Sequence, residues 1–151
     1  QMASARYLAL YGKKAAPAEK KVLKLIRRSD RLNYSGTTNL KWSLIDILGN
    51  IGTSDPEAID ALVKFLSSTE YCVPDSAMRA LAAIGAPAFP ALKKAMDASE
   101  TYVKIRIIGT LGMAGKSASQ ETGYLKSLYL SAKEAVVRDA IEDAMEKIAS
   151  P

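Results

Sequence analysis

Val73-Pro-Asp-Ser-Ala-Met-Arg-Ala-Leu-Ala-Ala-Ile-Gly85 is the stretch that decides the fold. Its first, fifth, ninth and twelfth residues are Val73, Ala77, Leu81 and Ile84, and that spacing lines one face of a helix. The closing Gly85 suits a helix end that needs a left-handed turn. Three other stretches align with it without gaps. They are Leu40-Lys-Trp-Ser-Leu-Ile-Asp-Ile-Leu-Gly-Asn-Ile-Gly52, Val103-Lys-Ile-Arg-Ile-Ile-Gly-Thr-Leu-Gly-Met-Ala-Gly115 and Val137-Arg-Asp-Ala-Ile-Glu-Asp-Ala-Met-Glu-Lys-Ile-Ala149. The closing residues Gly52, Gly85, Gly115 and Ala149 step by 33, 30 and 34 residues. A period of that size marks stacked helical repeats.

Each stretch before the last is followed by a second helical pattern. Asp55-Pro56-Glu57 offers an N-cap, a proline at the first helical position and an acid in the first turn. Ile59, Leu62, Val63 and Leu66 then form a stripe. Phe89, Leu92 and Met96 repeat it after Pro87, and Tyr124, Leu125, Leu128 and Tyr129 do so after Gly115. A shortened earlier copy runs through Leu8 to Gly12, and Ala16-Pro17-Ala18 matches Ala86-Pro87-Ala88. Between that copy and Leu40 lies a polar, turn-rich insertion, Asp30–Asn39. The expected fold is therefore all-α. It is an α–α superhelix of about five helix pairs with incomplete ends, in one repeat domain over residues 1–151. Incomplete ends fit an excerpt of a longer protein, since terminal repeats normally carry a polar cap.

The pattern Val-x-x-x-Ala/Ile-x-x-Ala-Leu-x-x-Ile-Gly, followed by Pro-x-Ala and a Leu-rich helix, resembles HEAT repeats of the short bacterial type known from phycobilin lyases. The resemblance covers residues 3–149. It implies a solenoid whose second helices line the concave face. It is specific for fold and poor for function, because this repeat serves many roles.

Composition removes several chemistries. The 151 residues contain no histidine and one cysteine, Cys72. The two-iron His-Glu site of the deoxyhypusine hydroxylase type of HEAT enzyme cannot be built. Histidine-activated nucleophiles are excluded for the same reason, and a lone thiol makes no structural zinc site. Gly109-Thr-Leu-Gly-Met-Ala-Gly115-Lys116-Ser117 is a near miss to a phosphate loop. The residue five before Gly115 is Thr110, no strand precedes it, and Gly112 and Gly115 fall in phase with Gly49 and Gly52. It reads as a helix end. Cys72 reads as a buried structural thiol, and Glu142/Glu146 as a solvated helix face. No cofactor, no metal and no catalytic residue are expected.

No apolar run reaches the roughly 18–20 residues of a membrane span. One thiol suits a reducing compartment such as the cytoplasm. Gln1 ahead of Met2 leaves a processed, exported chain open as the alternative.

The formal net charge is +5. Residues 1–39 hold nine basic residues against Glu19 and Asp30, net +7, and the remainder is net −2. Such asymmetry speaks to partners. Lys20, Lys21, Lys24, Arg27 and Arg28 crowd one short helix. When the second helices are aligned on Val22, Leu62 and Leu92, Lys24, Lys64 and Lys94 share a position, and Lys93 and Lys126 share the neighbouring one. The resemblance implies a lysine ladder on the concave face, against the plain reading of solvated helix lysines. Tyr34 in the inserted loop and Trp42, which stands where other copies have Asp75, Ile105 and Asp139, are candidate contacts. For Trp42 the competing reading is a lid over the inter-repeat core.

The expected function is non-catalytic protein–protein interaction, as a scaffold or adaptor for a partner with an acidic surface. The alternative is a nucleic-acid-binding module using the basic first repeat, though a net −2 beyond residue 39 argues against duplex binding along the whole array. A third, weaker reading is a phycobilin-lyase-like subunit.

Overall fold

Each of the four aligned stretches is helical and buries the stripe its spacing prescribes. The computed structural model describes residues 12–31 and 38–150. Among them eight α-helices follow one another without a strand: α1 (Glu19–Arg31), α2 (Thr38–Ile51), α3 (Pro56–Phe65), α4 (Val73–Ile84), α5 (Phe89–Met96), α6 (Thr101–Met113), α7 (Thr122–Ser131) and α8 (Ala135–Ala149). The first helices of the repeat are α2, α4, α6 and α8, and the second helices are α1, α3, α5 and α7. The shortened copy before Gly12 lies outside the described residues, as does the tip of the inserted loop with Tyr34. The ends of that insertion are helical, since α1 runs to Arg31 and α2 starts at Thr38.

The stripe residues Leu44, Leu48, Ile51, Val73, Ala77, Leu81, Ile84, Val103, Ile107, Leu111, Val137, Ile141 and Ile148 are all buried. Leu40, Ala114 and Met145 pack half-buried beside them. The first helices stack in series, α2 on α4, α4 on α6 and α6 on α8. Each second helix packs on the first helix that follows it, α1 on α2, α3 on α4, α5 on α6 and α7 on α8, and α3 also packs on α5. The second helices supply Val22, Leu23, Ile26, Ile59, Leu62, Leu66, Phe89, Leu92, Met96 and Leu125 to one continuous core.

Two stacking contacts are unusually intimate. A Cβ on Gly49 of α2 would lie 2.6 Å from the Cα of Ala80 in α4. A Cβ on Gly112 of α6 would lie 2.9 Å from the Cα of Ala144 in α8. Backbones meet at both sites, so only glycine fits. The α4–α6 contact is built differently. There a Cβ on Gly109 would meet only the mobile end of Met78, at 3.1 Å from its Cε. The Gly-rich near-motif thus splits into a packing glycine, Gly112, and a turn glycine, Gly115, with φ 54°.

The connections obey local chemistry. Gly52 and Gly85 take positive φ, 69° and 72°, though Gly85, with ψ −134°, departs from the left-handed turn expected of it. Asp55 caps α3 by accepting the Glu57 N–H at 3.0 Å, with Pro56 opening the helix. The other second helices enter through 3₁₀ turns: Gly12–Ala18, Ala86–Ala88 and Gly115–Glu121. The two Ala-Pro-Ala copies are both 3₁₀, which supports their alignment. Cys72 departs from expectation. It is half-exposed, not buried, and it is the one non-glycine with positive φ (61°) among the described residues. It holds the turn into α4 in a conformation costing about 1–2 kcal/mol for a residue with a side chain.

Gly49→Val and Gly112→Val are each expected to lower the unfolding free energy by about 2–3 kcal/mol in urea titrations, the upper part of the range for overpacked cores. Gly123→Ala in α7, where a Cβ meets nothing within 4 Å, is expected to be neutral or to stabilise by up to about 1 kcal/mol.

Candidate docking face on the second helices

Helix α1 buries Val22, Leu23 and Ile26 against α2 and turns Lys20, Lys21, Lys24, Arg27 and Arg28 to solvent. All five predicted basic residues therefore share one exposed arc. Arg27 is already engaged in an ion pair with Glu57 at the start of α3. Lys20, Lys21, Lys24 and Arg28 make no ion pair among the described residues. Glu19 points the other way and accepts a hydrogen bond from Thr53, a 2% exposed hydroxyl in the turn after α2 that also accepts the Asp55 N–H at 3.0 Å. Glu19 is thus spent on structure, and Lys20, Lys21, Lys24, Arg27 and Arg28 are left on the surface.

Lys64 of α3, Lys94 of α5 and Lys126 of α7 are exposed, like Lys24 of α1. The buried partners on their helices, Leu62, Leu92 and Leu125, are fully enclosed. Each second helix so presents an exposed ammonium, unpaired among the described residues, on the side away from its core stripe. Lys93 behaves differently. Its Nζ donates to Glu121 at 2.9 Å and sits 5.6 Å from the ring centroid of Tyr124. It ties α5 to the entry of α7. Burial, then the negative charges of Asp97 and Glu121, raise the Tyr124 phenol above its ordinary pKa. Trp42 is half-buried on α2, while its counterparts Asp75 and Asp139 are exposed and Ile105 half-buried.

Three features escaped the sequence reading. Lys41 of α2 is 3% exposed and bonds Glu70 in the α3–α4 turn, with Phe65 5.8 Å away beneath its Nζ. Arg106 of α6 donates through Nη1 to the Leu66 carbonyl at 2.6 Å, capping the end of α3, and stacks 5.3 Å from the Tyr102 ring. Arg138 of α8 does the same for α7, donating to the Ala132 carbonyl at 2.7 Å. A cation serves a helix C-terminus well, because its last carbonyls lack helical partners and carry partial negative charge. The available clue was a basic residue within the first four places of three of the four first helices.

The edge of the array where second helices turn into first helices exposes several large apolar side chains. Tyr71 and Leu130 are 87% and 86% exposed, and Tyr102 and Val136 lie just before equivalent points of α6 and α8. A cleft of about 280 Å³ opens there, with Met96, Leu128 and Val137 beside Asp97, Lys104 and Glu134. Among the described residues no group of three or more carboxylates and thiols is arranged to hold a metal ion. None of the described helices is long and apolar enough to cross a membrane.

The family model for HEAT repeats matches residues 28–112, more than half of the chain. No curated protein matches. Among solved structures, a crystal structure of an engineered protein aligns with a TM-score of 0.50 and 23% identity. It covers 99% of this chain and 44% of that one, so the chain spans less than half the length of this neighbour. At that identity the likeness concerns the fold alone.

Arg106→Met is expected to cost about 1–3 kcal/mol in urea unfolding, since the Leu66 carbonyl is left without its charged donor in a buried setting. Lys94→Met, on an exposed side chain, is expected to stay within about 0.5 kcal/mol.

Proposed function

The chain belongs to the HEAT-repeat family, and from that membership we propose that it acts as a non-catalytic scaffold or adaptor that docks an acidic segment of a protein partner on its second-helix face. The observation that carries this reading is the division of labour among the charges. Residues that brace the fold are tied up: Glu19 with Thr53, Lys41 with Glu70, Lys93 with Glu121, and Arg106 with the end of α3. Lys24, Lys64, Lys94 and Lys126 stand exposed without an ion pair among the described residues, one on each successive second helix. A row of free cations on a regular scaffold supplies long-range attraction for an anionic segment and fixes its register.

A labelled poly-glutamate peptide measured by fluorescence anisotropy is the simplest probe. Lys24→Glu with Arg28→Glu is expected to weaken its binding roughly tenfold, the scale of two reversed surface charges, with helicity unchanged. Arg27 is left alone because it serves Glu57. Equal affinity in the variant and the parent would remove this face from the account. Tighter binding of a DNA duplex than of the peptide, with a steep salt slope, would turn the assignment to nucleic acid.

A further inference from the structure

Helix α8 carries its own charge pattern. Asp139, Glu142, Asp143 and Glu146 follow one another at three- and four-residue spacing, and all four are exposed. They lie opposite the stripe Val137, Ile141, Ala144 and Ile148 that faces the core. Glu142 accepts a bond from Tyr129 at 2.7 Å, and Asp143 pairs with Lys147 at 2.5 Å. Asp139 and Glu146 make no ion pair among the described residues. At the place in the repeat where α2, α4 and α6 present Gly49, Ala82 and Gly112, α8 presents Glu146. Gly49 and Gly112 let the next first helix come into backbone contact. A glutamate there has no room for the same backbone contact, and in this chain it is exposed.

One molecule thus holds a basic row on its second helices and an acidic helix that matches it. We propose that the acidic face of α8 docks on the second-helix row of another copy of the same chain. The dimensions agree. Asp139 and Glu146 are seven residues apart, about 10 Å along the helix axis. Neighbouring packed helices lie about 8–10 Å apart, so α8 laid across the row sets one carboxylate over each of two successive lysines, such as Lys64 and Lys94. The contact joins two different surfaces, so it is heterologous and propagates into a ring or an open chain. This inference rests on the second-helix face being an acceptor for acidic protein, and it adds that the chain supplies such a segment itself.

Sedimentation equilibrium of the full chain tests it. In 0.1 M salt the average mass is expected to rise with concentration past that of a dimer. In 1 M salt, where the screening length drops from about 10 Å to about 3 Å, it is expected to fall to that of a monomer. Asp139→Lys with Glu146→Lys, and separately Lys64→Glu with Lys94→Glu, should each weaken association at least tenfold. An equimolar mixture of the two variants should associate again, because the reversed α8 of one meets the reversed row of the other. Monomers throughout in 0.1 M salt, association that survives either double substitution or 1 M salt, or a mixture that stays monomeric would each overturn the proposal. A monomer that still binds poly-glutamate sinks self-docking alone. A monomer that has no affinity for the peptide sinks the underlying reading with it.

Discussion

A helix with a wide apolar stripe cannot stand alone in water, and in this chain each first helix meets that demand chiefly by lying against the next. The closeness of that stacking depends on side chains small enough to let backbones touch, Gly49 against Ala80 and Gly112 against Ala144. From this one requirement come the positions of the second helices, which wedge against the following first helix, and the short turns between them. The second helices inherit a fixed orientation from the stack. Their core sides are committed, and their other sides become a surface whose chemistry is free to vary.

The surface is given stiffness by polar ties across the repeats. Arg27 to Glu57 joins α1 to α3, and Lys93 to Glu121 and Tyr124 joins α5 to the entry of α7. Arg106 reaches back from α6 to the end of α3. These groups look like solvent-facing charge in the sequence and act as struts in the structure. Among the cations left after they are subtracted, Lys24, Lys64, Lys94 and Lys126 form a series, one on each second helix.

The repeat was legible because it is a local, periodic signal. Apolar spacing marks the buried stripe, and Gly52 and Gly85 mark the turns because only glycine takes positive φ without penalty. Asp55-Pro56-Glu57 marks a helix start by its own hydrogen bonding. The braces were not legible, because a partner 29 residues from Lys41 or 40 from Arg106 is set by packing and leaves no local trace. Cys72 misled for a related reason. Apolar neighbours suggested burial, yet the turn into α4 demands a left-handed residue there, and the side chain is carried outward with it. For the candidate docking face, the sequence alignment found the exposed lysines of the second helices, but it could not separate Lys93, which is held, from Lys94, which among the described residues is not.

The alternation of close and looser stacking bears on the row of lysines. Helices α1 to α4 form one block fastened at Gly49 and Ala80, and α5 to α8 form another fastened at Gly112 and Ala144. Between them, α4 packs on α6 without such a backbone contact, Gly109 facing the thioether of Met78 instead, and Arg106 ties α6 back to the end of α3. Lys64 stands before that contact and Lys94 after it, so the spacing of these two cations is set across the part of the stack that has no glycine–alanine fastening.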